Sequence, residues 1–486
     1  MTSTEEAATR ATRATRATRP GGVVGNTIVV VPSISFPVVE LRKIAAVQSY
    51  EERMLFFLLL LADPAVRVVY VTSEEIDPDT IDYYLRFLPD PADARRRLAL
   101  VSVGDPSIGS LSRKLLARPA DLDRLRAAIG DVDAAGGGGG LVPFNVTPAE
   151  QDLADALGLR LCGPRPELVW LGSKSGSRQV AVEAGVPVLP GAEDLFSPAD
   201  LAKAVAGLRD SRPEASAVVV KLNNGFSGQG NAIVELDGVA DPITASATTF
   251  CADGESWASF EAKLEDEGGI VEELVRAEGL RSPSVQVQIS PTGDIEVLST
   301  HDQILGGPQN QVYIGCRFPA RPEYRLAIQA EAGKVAAVLV ARGVTGVFGI
   351  DFLVDGTDPD EPRITLSEIN LRMGGTTHPF WMARLVTGAT YDQDSGDLRL
   401  PDGSTRCYMA TDNLKSAQLV GSRPAAVIAR IDQSGLAYDP STATGVTLHL
   451  LGALPGAGKM GVTCIAEAPE GADDLFRRVL AALDAR

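Results

Sequence analysis

Between residues 26 and 161 the chain alternates two kinds of segment. "NTIVVVPSIS" (26–35), "VRVVYVTS" (66–73) and "LALVSVG" (98–104) are short apolar runs rich in β-branched residues. After each comes a stretch that reads as a helix: "ELRKIAAVQSYEERMLFFLLLLADP" (40–64), "DTIDYYLRFL" (79–88) and "ADLDRLRAAI" (120–129). "LVPFNV" and "PAEQDLADALG" supply one more strand and helix. Strands separated by helices predict a parallel sheet, because a parallel pair needs a long crossover. About residues 23–165 are therefore expected to form a Rossmann-like α/β domain. No G-x-G-x-x-G follows the first strand, so no dinucleotide site is read there. The run "AAGGGGG" (134–140) is expected to be a flexible loop.

Beyond Gly172 the pattern changes. "SKSGSRQVAVEAGVPVLPG" (173–191) reads as a helix ending at Ala-Gly, then a short strand. Helical and β-rich stretches alternate to about residue 395. A last segment, 400–486, carries "TGVTLHLLGAL" and "MGVTCIAEA" as strands and "DDLFRRVLAALDA" as a helix. Residues 1–22, with four Ala-Thr-Arg repeats, read as a disordered basic tail without the apolar core of a secretory signal. "MLFFLLLLA" (54–62) is far short of the ~20 residues a membrane span requires and reads as the buried end of a helix.

Charge and cysteine content exclude some functions. The formal net charge is −18, which repels nucleic acid and anionic membranes. Five cysteines without a C-x-x-C fit a reducing cytosol, so the chain is expected to be cytoplasmic, with no disulfide framework. Three histidines without H-E-x-x-H spacing argue against a histidine-ligated zinc site.

Four stretches carry chemistry. In "VVVKLNNGFSGQG" (218–230) a strand delivers Lys221 to a glycine-rich tip, and a second strand-like run, "NAIVEL", follows. Glycines at 225, 228 and 230 let backbone N–H groups turn toward a polyanion, with Ser227 and Gln229 as further donors. An ordinary glycine-rich hairpin is the plain alternative. "ALPGAGKMG" (453–461) looks like a phosphate-binding loop, but Met460 replaces the metal-binding Ser/Thr and a strand follows instead of a helix. It is expected to be a hairpin loop.

In "GVFGIDFLVD" (346–355) and "RITLSEINLRMGG" (363–375), strict alternation puts Leu366, Glu368 and Asn370 on one face, with Arg372 extending it. Asp351 lies in the neighbouring run. Two carboxylates and an amide oxygen suit Mg²⁺; a solvated hairpin face is the alternative. "GGIVEELVRAEG" (268–279) offers a strand end, Glu272-Glu273-Leu274-Val275, whose backbone could meet adenine. Lys174 sits 47 positions before Lys221.

In this order the set resembles the ATP-grasp superfamily, over about residues 166–395. "FNVTPAEQDLADALGLRLCG", "GGPQNQVYIGCRFPA" and the last segment are similar to the pheganomycin-type peptide ligases of actinobacterial peptide-antibiotic pathways. The resemblance implies a pre-ATP-grasp domain, a two-lobed ATP-grasp domain (glycine-loop lobe about 180–275) and a small C-terminal α+β domain. It implies that Lys174 and Lys221 hold ATP phosphates and that Ser227, Gly228, Gln229 and Gly230 form a lid. Glu272, with the backbone of Glu273, Leu274 and Val275, would read adenine, and Glu278 the ribose. Asp351, Glu368 and Asn370 would hold Mg²⁺. Many relatives have an Arg where this chain has Gly349, so Arg372 or Arg317 is expected, with Lys221, to act on the reacting phosphate.

The implied reaction is ATP-dependent condensation of a carboxylate donor, small molecule or peptide, with an amine or peptide acceptor through an acyl phosphate. Alternatives are a ligase for a small amino acid or non-peptide amine, and a non-catalytic ATP-binding regulator. A homodimer is the default expectation.

Overall fold

The computed structural model describes residues 19–23, 25–130, 138–225, 230–236, 248–252, 254–277, 279–306, 312–355 and 362–484. The first sheet is parallel: β1 (Thr27–Val31), β2 (Arg67–Thr72), β3 (Leu98–Ser102), β4 (Gly139–Pro143) and β5 (Arg160–Leu161), in spatial order 3-2-1-4-5. All five residues of β1 are buried, as a strand covered on both faces requires. The order reverses direction between β1 and β4, and a doubly wound sheet opens a crevice there at its carboxyl edge. The helix Pro148–Leu157 starts with a capping box between Thr147 and Glu150.

The long helix expected over 40–64 is instead a short helix, Val38–Leu41, and a tight 3-10 coil, Val47–Ala62. Met54–Leu61 is buried throughout. With no polar face to present, the segment lacks the 3.6-residue periodicity that favours an amphipathic α-helix. Two short helices, Pro91–Arg97 and Leu111–Leu116, were not expected. The end of the expected disordered tail is docked: Arg19 is buried and pairs with Asp63 at 2.8 Å. Most of the tail, and most of the glycine run at 134–140, lies outside the described residues.

The second sheet holds β6 (Gly191–Leu195), β7 (Ala217–Leu222), β8 (Asn231–Glu235), β9 (Thr248–Phe250) and β10 (Gly269–Glu273), in order 6-10-7-8-9 and antiparallel. Strands β7 and β8 form the expected hairpin, with Lys221 opposite Asn231. The third sheet is built from β11 (Pro283–Ile289), β12 (Ile295–Gly306), β13 (Val312–Phe318), β14 (Gly346–Asp355) and β15 (Arg363–Asn370).

Strands β16 (Thr390–Asp392), β17 (Asp397–Arg399), β18 (Thr405–Lys415), β19 (Gly445–His449) and β20 (Lys459–Ala466) continue that sheet, because β18 pairs with β13. The strands of residues 400–486 thus cover an edge that would otherwise be open. They also close the core of the first sheet: Val30, Met54–Leu61, Leu448 and Leu454 belong to one apolar cluster. The segment 453–461 joins β19 to β20. Its Lys459 lies in a strand, buried, with Nζ donating to Tyr50 Oη.

Candidate active site

The three sheets enclose a cavity of about 390 Å³. Each supplies one wall: Lys221 and Glu273–Val275 from the second sheet, Asp351, Glu368 and Asn370 from the third, and Phe36 and Phe144 from loops after β1 and β4.

Lys174 opens the helix Lys174–Glu183, which Ser173 caps by accepting from Gly176 N at 3.0 Å. It is not in a loop, and it is buried. Its Nζ donates to Glu368 Oε2 and to the Gly225 carbonyl. Burial, then the charges of Lys221 and Arg372, pulls Lys174 down to about 7, while its carboxylate neighbours oppose that.

Lys221 leaves β7 buried, and its Nζ reaches Glu272 Oε2 at 2.8 Å. Glu272 Oε1 accepts from Arg178 at 2.7 Å. Glu272 is 1% exposed and does not line the cavity, so its expected contact with adenine is corrected. One carboxylate between two buried cations is already committed. The next three residues, Glu273, Leu274 and Val275, do face the cavity. Ser227, Gly228, Gln229 and Glu278 lie outside the described residues. Gly230 follows in a left-handed turn, φ 85°.

Asp351 and Glu368 sit directly opposite each other across β14 and β15. A bulge follows, so Phe352 faces Leu366 and Ser367 is the extra residue. The expected shared face is therefore wrong for Leu366, which points into the core at 1% exposure, while Ser367 lines the cavity. Asn370 donates from Nδ2 to Asp351 at 3.0 Å and to Glu368 at 2.7 Å. Gln303 donates to the other Asp351 oxygen at 2.8 Å. Burial pushes Asp351 up to about 6 against the pull of Lys174 and Arg372.

These three side chains fit a hard, oxygen-seeking cation by their chemistry. The Asn370 amide would have to turn over to offer Oδ1. The described residues hold no group of three His, Cys, Asp or Glu side chains that could bind a metal.

Arg372 lines the cavity with its guanidinium 5.5 Å from the Phe36 ring, and burial lowers it to about 10. Arg317 does not reach the site. It is exposed on β13 and pairs with Asp473 of the last helix at 3.0 Å. Strand alternation turns it away from the cavity, so of the two candidate arginines only Arg372 faces it. Sequence reasoning missed Arg53, Tyr50 and Gln303. A lone Arg leading into the apolar run 54–62 was the one available signal for Arg53.

Over residues 166–249 and 245–393 the chain matches the IQCH-like ATP-grasp family, and over 426–479 the PGM1 C-terminal domain family. It is 33% identical over 475 residues to the L-propargylglycine–L-glutamate ligase of Streptantibioticus cattleyicolor, covering 94% of each chain. This chain is a member of the ATP-grasp superfamily.

More distantly, the ATP-grasp chain here is 23% identical to the IQ motif-containing protein H of Danio rerio, over 78% of this chain and 40% of that one. Solved structures with the same fold include biotin carboxylase of Campylobacter jejuni in a beta-gamma-ATP complex: TM-score 0.58, 14% identity, covering 94% of this chain and 91% of that one. Carboxyaminoimidazole ribonucleotide synthase of Aspergillus clavatus, complexed with ATP, gives 0.51, 14%, 95% and 98%. The parallel sheet is accordingly the pre-ATP-grasp domain, and the two antiparallel sheets are the lobes that face each other across the cavity. The protein is an ATP-grasp amino-acid ligase that forms a C–N bond. No helix among the described residues is long and apolar enough to cross a membrane.

Proposed function

We propose that the chain joins the carboxylate of one amino acid or short peptide to the amine of another, activating the carboxylate with ATP. The observation that carries this is the convergence of two lysines, a facing carboxylate pair and Arg372 on one cavity that also reaches the first sheet.

In this reading Lys174 and Lys221 hold the polyphosphate as point charges, and Glu273–Val275 lie along the base beside Val219 and Leu353. Asp351, Glu368 and Asn370 would hold Mg²⁺, which when bound neutralises charge on the phosphates. For that, Lys174 must exchange Glu368 for phosphate oxygens. The donor carboxylate attacks the terminal phosphoryl group and ADP leaves. The amine then attacks the acyl carbon and phosphate departs. Arg372 faces the charge that develops in both steps. The activated acyl group must be kept from water until the amine arrives. The relative's substrates, L-propargylglycine and L-glutamate, support a reading in which the reaction serves the synthesis of small peptide natural products, antibiotics among them; a homodimer is proposed beside it.

The test is ADP release with Mg²⁺-ATP and amino acids supplied in pairs, beginning with L-glutamate and L-propargylglycine. Mass spectrometry should show a product lighter by one water than its two parts. A folded Glu368→Gln variant should lose the activity by 100-fold or more, roughly the cost of one transition-state charge contact. ATP binding without ADP for any pair would overturn the ligase reading.

A further inference from the structure

One end of the cavity is formed by the parallel sheet. Ile34 and Phe36 follow β1, and Phe144 follows β4, so this end occupies the crevice where the parallel sheet reverses direction. Its walls are apolar, yet guanidinium groups project among them. Arg53 lines the cavity, with its guanidinium 4.2 Å from the centre of the Tyr50 ring and 5.5 Å from that of Phe144. One of its nitrogens donates to Asp412 on β18 at 2.6 Å. His378 donates from Nδ1 to the Arg53 carbonyl at 2.9 Å, which fixes the backbone.

Held this way, Arg53 is preorganised. Two rings and one carboxylate set the plane of the fork before any ligand arrives, so little rotamer freedom is lost on binding. The charge balance at this end also asks for an anion. Arg372 carries a second guanidinium into the same cavity and makes no ion pair among the described residues. A carboxylate beside the Arg53 fork would find a planar donor pair. In the ligase reading the phosphates have their own cations in Lys174 and Lys221.

We propose that Arg53 is a specificity-determining residue: it binds the free, non-reacting carboxylate of an amino-acid or peptide substrate whose apolar side chain rests against Ile34, Phe36 and Phe144. Asp412 is a positioning residue that aims it. The proposal rests on the ligase reading for the word substrate, but the subsite itself is tested by binding.

The probes are L-leucine and L-phenylalanine and their C-terminal amides. Each is titrated by calorimetry into the protein saturated with a non-hydrolysable ATP analogue. The acids should bind more tightly than the amides by about 30-fold, the scale of one charge-assisted hydrogen-bond pair. Arg53→Met should erase the difference between acid and amide while leaving affinity for the ATP analogue unchanged. Arg53→Lys should restore part of the difference, and Asp412→Asn should reduce it without removing it. A merely structural arginine would shift acid and amide alike. Overturning results are equal binding of acid and amide, no binding of either probe, or an undiminished preference in Arg53→Met. If acid preference and its loss are seen but no pair releases ADP, the ligase reading fails and the carboxylate subsite stands.

Discussion

Glu272 holds two cations beside the cavity without lining it. It is buried between Arg178 and Lys221, at 2.7 and 2.8 Å. Glu272→Ala would strip buried Lys221 of its carboxylate and leave Arg178 with Glu193 alone, a change worth about 3–5 kcal/mol. Urea denaturation should show that loss directly. In conditions where the variant stays folded, its preference for ATP over GTP should be unchanged, because the side chain does not line the cavity. A lost preference with unaltered stability would restore the adenine-reading role. At this scale the sequence was legible where a residue's chemistry was uncommitted. Lys174, Lys221, Asp351, Glu368, Asn370 and Arg372 do line one cavity. It misled where charge was spent locally: Glu272 on two cations, and Arg317 on Asp473. Arg53 was out of reach, because the rings and carboxylate that aim it come from residues 50, 144 and 412.

Among the elements, the helix Lys174–Glu183 has the least latitude. A Cβ on Gly176 would stand 2.2 Å from the Trp170 carbonyl oxygen and 2.8 Å from Leu171 Cα. The first turn thus packs directly on backbone and cannot tilt without moving Lys174. Gly176→Ala is expected to lower Tm by several degrees, from a steric cost on the order of 1–3 kcal/mol. It should also weaken ATP binding, readable by calorimetry below the transition. A gain in Tm would show that the helix has room the geometry denies it. The elements themselves were largely predictable: alternation marked β1 to β4, and the β7–β8 hairpin and the β14–β15 pair fell where expected. What periodicity could not disclose was the bulge at Ser367, since an extra residue breaks the two-residue rule on which the reading depends. The 3-10 coil was equally hidden, because a segment buried on all sides has no polar face to betray its pitch.

In the molecule as a whole, opposed titrations join its two ends. His378 and His449 stack with ring centres 4.3 Å apart, and both are buried. Burial lowers His378 to about 4 and pushes His449 down as well. Unfolded histidines take up protons below about 6.5, so this pair costs stability progressively as pH falls from there toward 4. Glu51 and Glu52 act in the opposite sense. Burial raises both to about 7, so they keep protons that the unfolded chain has released, and their contribution grows as pH falls from 7 toward 4.5. The wild-type Tm is therefore expected to fall less steeply between pH 7 and 5 than the histidines alone would make it. Glu52→Gln removes one compensating group and should make Tm drop more steeply on acidification, by scanning fluorimetry across that range; an unchanged slope would contradict the opposition.

The same join between the ends has a consequence for synthesis. Glu52 accepts from Gly452 N at 2.9 Å, and the Tyr83 hydroxyl accepts from Leu448 N at 2.8 Å. Met54–Leu61 rests in that shared cluster. A ribosome must therefore add close to four hundred more residues before this greasy run meets its lasting neighbours, roughly 20 to 80 seconds at ordinary elongation speeds. For that interval the nascent chain carries an adhesive stretch, and its safe arrival depends on a holding chaperone or on provisional burial against β1 and β2.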